Sequence, residues 1–212
     1  MKNIILTPSV IIDSYKQGIF PMGDYEDDRF VMWCNPDKRA VIPICGLHIS
    51  RSLKKECIKR NLEFTINKCF ETVIFKCASR DETWITSPII QSYIELNKAS
   101  YAHSVEIWDN NTLLGGLYGV SIGAAFFAES MFSTSKNGSK FSLVALMFLL
   151  VKNKFLLLDV QFMTKHLATM GAIEVPKTEF LERLRVAKAK RAYFKKVNSK
   201  SIDINLLNAL VN

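Results

Sequence analysis

Apolar positions in this chain switch repeatedly between helical and strand spacing. Near the start, SVIIDSYKQG puts Ile11, Ile12 and Tyr15 on one helical side, with Gly18 placed to end the helix. A connection punctuated by Pro and Gly follows, with strand-like runs around Phe30 to Trp33 and Ala40 to Ile42. From Ser50 onward, RSLKKECIKR predicts a helix whose apolar stripe is Leu53, Cys57 and Ile58. LEFTIN predicts a strand and CFETVIFKCAS a helix. SPIIQSYIELNKASY predicts another helix, capped by Ser87 with Pro88 in its first turn. SVEIW and TLLGGLYGV, joined through Asp109, Asn110 and Asn111, predict a hairpin, and AAFFAES the next strand. The apolar stretch Phe141 to Val151 predicts a buried helix with Ser139 as its cap. It falls well short of the roughly 20 apolar residues needed to span a bilayer. FLLLDVQF predicts a strand buried on both faces, and TEFLERLRVAKAK a closing helix. This order of elements predicts a mixed α/β fold, a twisted sheet with helices on its faces.

The strand FLLLDVQF breaks its own apolar pattern with Asp159 and Gln161. Strand alternation places the two on the same side of the sheet. An ionised carboxylate there must be paired, hydrogen-bonded or wet, because an unsatisfied buried charge costs several kcal/mol or more. Glu129 in FFAESMF repeats the pattern, a carboxylate at the end of an apolar strand. Asp24, Glu26, Asp27 and Asp28 form an acidic loop, which reads first as a solvated surface and second as a guide for cationic partners.

With 212 residues, nearly half of them hydrophobic, the chain suits one domain with a substantial core, or a domain with a small accessory unit. Its five cysteines, Cys34, Cys45, Cys57, Cys69 and Cys77, show no CxxC spacing, and its three histidines are far apart. Reduced thiols in a cytoplasmic protein are expected, with no metal, no cofactor and no membrane segment. The net charge is +8, and eight cations with no acidic residue lie between Arg183 and Lys200. The rest of the chain is therefore neutral. The basic tail, with Tyr193 and Phe194 interleaved, reads equally as a polyanion contact and as a solvated helix face. RSLKKECIKR sets Arg51, Lys54, Lys55, Lys59 and Arg60 against a single Glu, which favours phosphate binding over an ordinary amphipathic helix.

An ordered series of short segments resembles the leucyl/phenylalanyl-tRNA–protein transferase family. The segments are YKQGIFP, MWCNPDKRAV, LHISRSLKK, ETWIT, AHSVEIW, LGGLYGV, AESMFS, LLLDVQ and LATMGA, spread over about residues 12 to 185. The resemblance implies an acetyltransferase-like (GNAT) sheet fold. It divides the chain into a small N-terminal subdomain over 1–34, the catalytic domain over 35–187 and the basic tail over 188–212. It also implies transfer of Leu, Phe or Met from aminoacyl-tRNA to the N-terminal Lys or Arg of proteins, marking them as N-degron substrates. The enzyme is expected to be a monomer. STSKNGSK lacks the Gln/Arg-x-x-Gly-x-Gly/Ala turn by which true acetyltransferases hold coenzyme A, so a different acyl donor is favoured. A non-catalytic aminoacyl-tRNA- or RNA-binding protein of the same fold is the competing reading.

By that resemblance Asp159 and Gln161 are the catalytic pair. The cautious physical role is for Asp159 to orient Gln161, whose amide oxygen aligns the attacking amine. Glu129 lies at the substrate site. Leu117, Phe126, Met131, Leu143, Leu146 and Leu158 are the matched positions of an apolar pocket for the donor side chain, residues that any core would also contain. Trp84 is matched to a residue that stacks on the terminal adenine. A second Trp usual in the family is Met22 here, so stacking on one side is weakened or is supplied by Tyr15 or Trp33. Thr164 and Lys165 stand where relatives often carry Asn and Asp.

Overall fold

The computed structural model describes residues 6–24, 26–27, 30–60, 62–80, 83–194 and 199–210. Asp28 of the acidic loop and Lys195 and Lys196 of the basic tail lie outside the described residues. The chain opens with α1 (Pro8–Tyr15), the pair β1 (Phe20–Gly23) and β2 (Val31–Cys34), then β3 (Lys38–Ile42), α2 (Arg51–Arg60), β4 (Glu63–Ile66) and α3 (Phe70–Ala78). Next come α4 (Ser87–Lys98), β5 (Ala102–Asp109), β6 (Thr112–Ile122), β7 (Ala125–Ser133), α5 (Gly138–Lys152) and β8 (Leu157–Gln161). It closes with α6 (Lys165–Thr169), β9 (Ile173–Pro176), α7 (Lys177–Lys188), β10 (Lys200–Ser201) and α8 (Ile204–Asn208).

Eight strands form one mixed sheet in the order β10-β4-β5-β6-β7-β8-β3-β9. The apolar strands bury both faces because neighbouring residues point to opposite sides. Leu117, Phe126 and Leu158 join a core with α2, α5 and α8, while Tyr118, Phe127 and Leu157 join a second core with α1, α3, α4 and α7. The expected α/β sheet with helices on its faces and a small N-terminal region is present. β7 and β8 are the one parallel pair among the described strands, and their register runs only from Ala125↔Leu157 to Phe127↔Asp159. Beyond that point the two strands carry no further pairing with each other. The ends of β7 and β8 therefore frame an opening in the middle of the sheet.

Several local readings change. α4 is capped by Thr86, with Ser87 already helical, and Thr86 makes no side-chain cap bond. α5 is capped by Asn137 in the left-handed region (φ 65°) instead of by Ser139. α1 ends at Tyr15 with Lys16 as its cap, and Gly18 (φ 79°) makes the reversal two residues later. Ile58 is 48% exposed, so the stripe of α2 is Leu53 and Cys57. At about 100° per residue Ile58 lies well round the helix from Leu53.

The segment after α7 is more than a charged tail. Phe194 is buried, stacking on His103 (4.7 Å) and Phe126 (5.1 Å). β10 pairs with β4, and Lys54 of α2 donates to Asn208 of α8. These contacts had no periodic signal to announce them, because one Phe and two strand residues are too few to make a pattern. Losing a buried Phe side chain costs about 3–5 kcal/mol. Phe194→Ala is expected to lower the unfolding free energy by about 3 kcal/mol, read from urea denaturation.

Candidate functional site

Two irregularities in the sheet build the site. Along β6 and β7 the register passes from Tyr118↔Ser130 to Gly119↔Ala128, so Glu129 is the extra residue of a β-bulge. Along β3 and β8 it passes from Val41↔Asp159 to Ala40↔Gln161, so Val160 is extra there. Gln161 itself has φ 62°, a left-handed conformation uncommon for a residue with a side chain. Bulges re-aim side chains, and these two turn Glu129 and Gln161 toward each other across the gap between β7 and β8. The Gln161 amide Nε2 donates to Glu129 Oε1 at 2.9 Å.

Asp159 sits beneath this contact, fully buried. Its charge is met by Arg39 of β3, whose Nε lies 2.9 Å from Oδ1 and whose Nη2 lies 2.7 Å from Oδ2. Arg39 is itself 1% exposed, held between the rings of Phe20 (4.4 Å) and Phe180 (4.6 Å), and its Nη1 donates to the Gly18 carbonyl. Asp159 Oδ1 also accepts from the main-chain N–H of Gln161 at 2.9 Å. Asp159 thus bears on Gln161 through the backbone, and Glu129 through the side chain. The pair expected from the sequence is joined by a second carboxylate, Glu129, and by Arg39, which lies within the segment MWCNPDKRAV but has no role assigned to it there. A carboxylate on a doubly buried strand calls for a cation nearby, but charge alone does not say which one.

Glu129 is held by a layer of phenols. Tyr15 donates to Oε1 at 2.5 Å, Tyr93 to Oε2 at 3.3 Å, and the two hydroxyls are 2.5 Å apart. Burial raises the Glu129 carboxyl to about 7, opposed by the hydrogen bonds from Tyr15 and Gln161 and helped by the charge of Asp159. Burial also pushes both tyrosines well above their ordinary range.

Above the Glu129–Gln161 contact lies a cavity of about 600 Å³. Glu129, Gln161, Trp84, Met131 and His166 are among its walls, as are Lys76 and Arg80. Among the described residues no hydrogen bond reaches Oε1 of Gln161, so the amide presents an acceptor there. A smaller apolar recess of about 60 Å³ adjoins it, lined by Leu117, Ala128, Met131, Leu143, Val160 and Leu167 with Glu129 and Ser130 at its polar side.

The structure sorts the residues singled out from the sequence. Leu117, Met131 and Leu143 line the recess, while Phe126, Leu146 and Leu158 are packed wholly within the core. Tyr15 lies under Glu129 with no exposed surface, so it does not face a base stacked on Trp84. Met22 and Met32 flank Trp84 in a second cavity of about 460 Å³, together with Asp24 and Glu26. Thr164 caps α6 by accepting from Leu167 N–H, a role that Asn or Asp would also fill. On α2, Arg51, Lys55 and Lys59 are exposed and Lys54 is partly covered. Arg60 is paired with Asp109 (2.9 Å) and with Glu56. Among the described residues there is no cluster of side chains suited to a metal ion, and no helix is long and apolar enough to cross a membrane.

Two expectations follow. Removing one member of a buried ion pair costs about 3–5 kcal/mol, so Arg39→Met is expected to destabilise the fold by that amount in chemical denaturation. Arg39→Lys is expected to restore little of it, because an ammonium cannot bridge both carboxylate oxygens and stack between two rings. The Glu129 carboxyl is raised from 4.5 to about 7 in the folded protein, so the folded state holds a proton that the unfolded state releases between those values. Stability therefore falls as pH rises through this window, by about 3 kcal/mol, and the loss is complete above pH 7. Denaturation at pH 5 and pH 8 is expected to show this fall in the wild type and its disappearance in Glu129→Gln.

Comparison with known proteins shows the family. The family model described as leucyl/phenylalanyl-tRNA protein transferase matches residues 41–185, and the model of its N-terminal domain matches residues 5–37. A leucyl/phenylalanyl-tRNA–protein transferase of Roseobacter denitrificans is 43% identical over 189 residues, covering 89% of this chain and 90% of its own length. Those of Phenylobacterium zucineum and Dinoroseobacter shibae are 45% and 43% identical, covering 87% and 88% of this chain and 85% and 84% of their own lengths. Matches of this extent span both the sheet that carries Asp159 and Gln161 and the N-terminal elements that carry Tyr15 and Gly18, and the chain belongs to the leucyl/phenylalanyl-tRNA–protein transferase family.

Proposed function

We propose that this chain transfers leucyl or phenylalanyl, and to a lesser extent methionyl, groups from aminoacyl-tRNA to the α-amino group of proteins beginning with Lys or Arg, in the cytoplasm. The observation that carries the reading is the Glu129–Gln161 contact at the floor of a cavity with Trp84 in its wall and an apolar recess beside it. The recess suits an apolar side chain such as that of Leu, Phe or Met. Its flexible wall residue, Met131, can move to admit a larger group than the recess holds at rest. Trp84 offers a face for the terminal adenine.

Aminolysis of an ester requires a neutral amine held on the path to the carbonyl carbon, and a place for its proton. The free Oε1 of Gln161 accepts a hydrogen bond from the amine and aligns it. Glu129 is a better proton acceptor than the Gln161 amide, because a carboxyl near 7 is matched to neutral pH. The C–N bond forms as the C–O bond to the ribose breaks, and the amine's proton passes through Glu129 or water to the departing ribose oxygen. No enzyme acyl intermediate is needed. The Cys57, Cys69 and Cys77 thiols are raised to about 12, 11 and 12 by burial, which makes poor nucleophiles of them. Coenzyme A is disfavoured at the turn before α5. There the Gly138 N–H donates to the Ser135 carbonyl and the Ser139 N–H to Ser133 Oγ, so these amides are already used within the turn.

Asp159 acts as a positioning residue, with Arg39, by fixing the backbone at Gln161. Exposed cations of α2 add contacts to the acceptor arm of the tRNA. The degradation signal created on the acceptor is the expected consequence of the reaction.

With leucyl-tRNA and a peptide beginning with Arg, and no coenzyme A, labelled peptide is expected. Gln161→Ala is expected to reduce kcat at least tenfold, and wild-type turnover by a folded variant refutes the assignment. Leu143→Phe fills the recess and is expected to lower transfer of Phe more than of Leu, by about tenfold in relative kcat/KM. Lys54→Glu with Lys55→Glu is expected to weaken tRNA binding and flatten its salt dependence, since each lost phosphate contact lowers the slope by about one.

A further inference from the structure

The main cavity is lined by two chemically distinct sets of side chains. Glu129 and Gln161 are anionic and hydrogen-bond accepting. Lys76 in the last turn of α3, and Ser79 and Arg80 just after it, line the same cavity, with Trp84 four residues on from Arg80. Ser133, Ser139 and His166 complete that polar set.

Neither cation is neutralised among the described residues. Among the described residues Lys76 has no ion-pair partner, and its ammonium lies 5.8 Å from the centre of the Phe132 ring. Arg80 likewise has none, and spends one N–H group on the Met131 carbonyl, which fixes the guanidinium against the end of β7 and leaves its other donors for a ligand. Nε2 of His166 is buried, is without a hydrogen-bond partner among the described residues, and belongs to a ring that lines the same cavity. A buried polar nitrogen without a partner favours a ligand or water that supplies one. Burial, and then the charge of Lys140 on the first turn of α5, lower the pKa of His166 and favour the neutral ring.

This set suits an anion and repels the cationic acceptor. Its sharing of the cavity with Trp84 says which anion. A purine stacked on Trp84 with its ribose directed to Gln161 brings its own 5′-phosphate into the same cavity, which Lys76 and Arg80 also line. We propose that Lys76 and Arg80, with Ser133, Ser139 and His166, seat the phosphodiester that joins the terminal adenosine of the tRNA to the preceding nucleotide. The inference rests on the reading of this cavity as the site of the tRNA 3′ end. It gives the two sets separate duties, cations for the RNA and a carboxylate–amide floor for the incoming amine. Anchoring the nucleotide through its phosphate fixes the ester against Gln161 without reading sequence.

The test compares adenosine, adenosine 5′-monophosphate and adenosine 3′-monophosphate by calorimetric titration of the full chain at fixed salt. The 5′-phosphate is expected to tighten binding at least tenfold over adenosine, and the 3′-phosphate is not. Lys76→Gln with Arg80→Gln is expected to bring the 5′-monophosphate down to the affinity of adenosine, while adenosine itself binds within twofold of wild type. Retained adenosine binding shows that the cavity is still folded. His166→Ala is expected to remove a smaller part of the same preference. Equal binding of the three ligands by the wild type, or a preference that survives in the double variant, overturns the phosphate seat alone. Failure of all three to bind the wild type overturns the reading of the cavity as the tRNA 3′-end site, and the phosphate seat with it.

Discussion

The buried pairing of Arg39 with Asp159 is the constraint around which the site is organised. A guanidinium held between two aromatic rings, bonded to both oxygens of a carboxylate, is costly to desolvate, and it is tolerated because the geometry is complete. Arg39 comes from β3, Asp159 from β8, Phe20 from β1 and Phe180 from α7, and the Gly18 carbonyl closes the ring of contacts. One interaction therefore joins the N-terminal elements to the sheet and at the same time immobilises the Gln161 backbone. The left-handed conformation of Gln161 is stabilised because its N–H has a fixed acceptor in Asp159.

From that anchor the chemistry follows in layers. Asp159 fixes the main chain, Glu129 fixes the side-chain amide, and Tyr15 and Tyr93 fix Glu129. Each layer fixes one hydrogen-bonding group, and Oε1 of Gln161 is left without a partner among the described residues. The same burial that makes this arrangement rigid lifts the Glu129 carboxyl toward neutral pH, so structural demand and proton transfer are met by one residue. A pair of carboxylates in one desolvated region would ordinarily resist charging together. Here Arg39 compensates Asp159, and Glu129 carries the shift.

The opening between β7 and β8 explains why donor and acceptor meet in the middle of a sheet. Parallel pairing stops after Phe127 and Asp159, and the polar residues that follow on each strand face a gap in place of a neighbour. Met131, Leu143 and Leu167 line the apolar recess, and Trp84, Lys76 of α3 and Arg80 just after it line the main cavity. Met22 and Met32 line a further cavity with Trp84 and bring soft thioethers to it instead of a second ring.

Elements with long, regular periodicity were legible from the residues alone. The helices of SPIIQSYIELNKASY and KFSLVALMFLLVK, the β5–β6 hairpin and the apolar strands needed only local spacing, because their burial repeats along the chain. The importance of Asp159, Gln161 and Glu129 was also visible, since a charge interrupting an apolar strand demands compensation. What supplied that compensation was not visible: Arg39 is 120 residues away in the chain, and its pairing depends on sheet order. Nor could spacing reveal the two bulges, the left-handed Gln161, or the division of the apolar residues between recess and core. A bulge shifts the register by one residue, and alternation along either strand alone carries no record of its partner. Local pattern settles which residues are buried, but only the register between strands decides which of them face one another across the cavity.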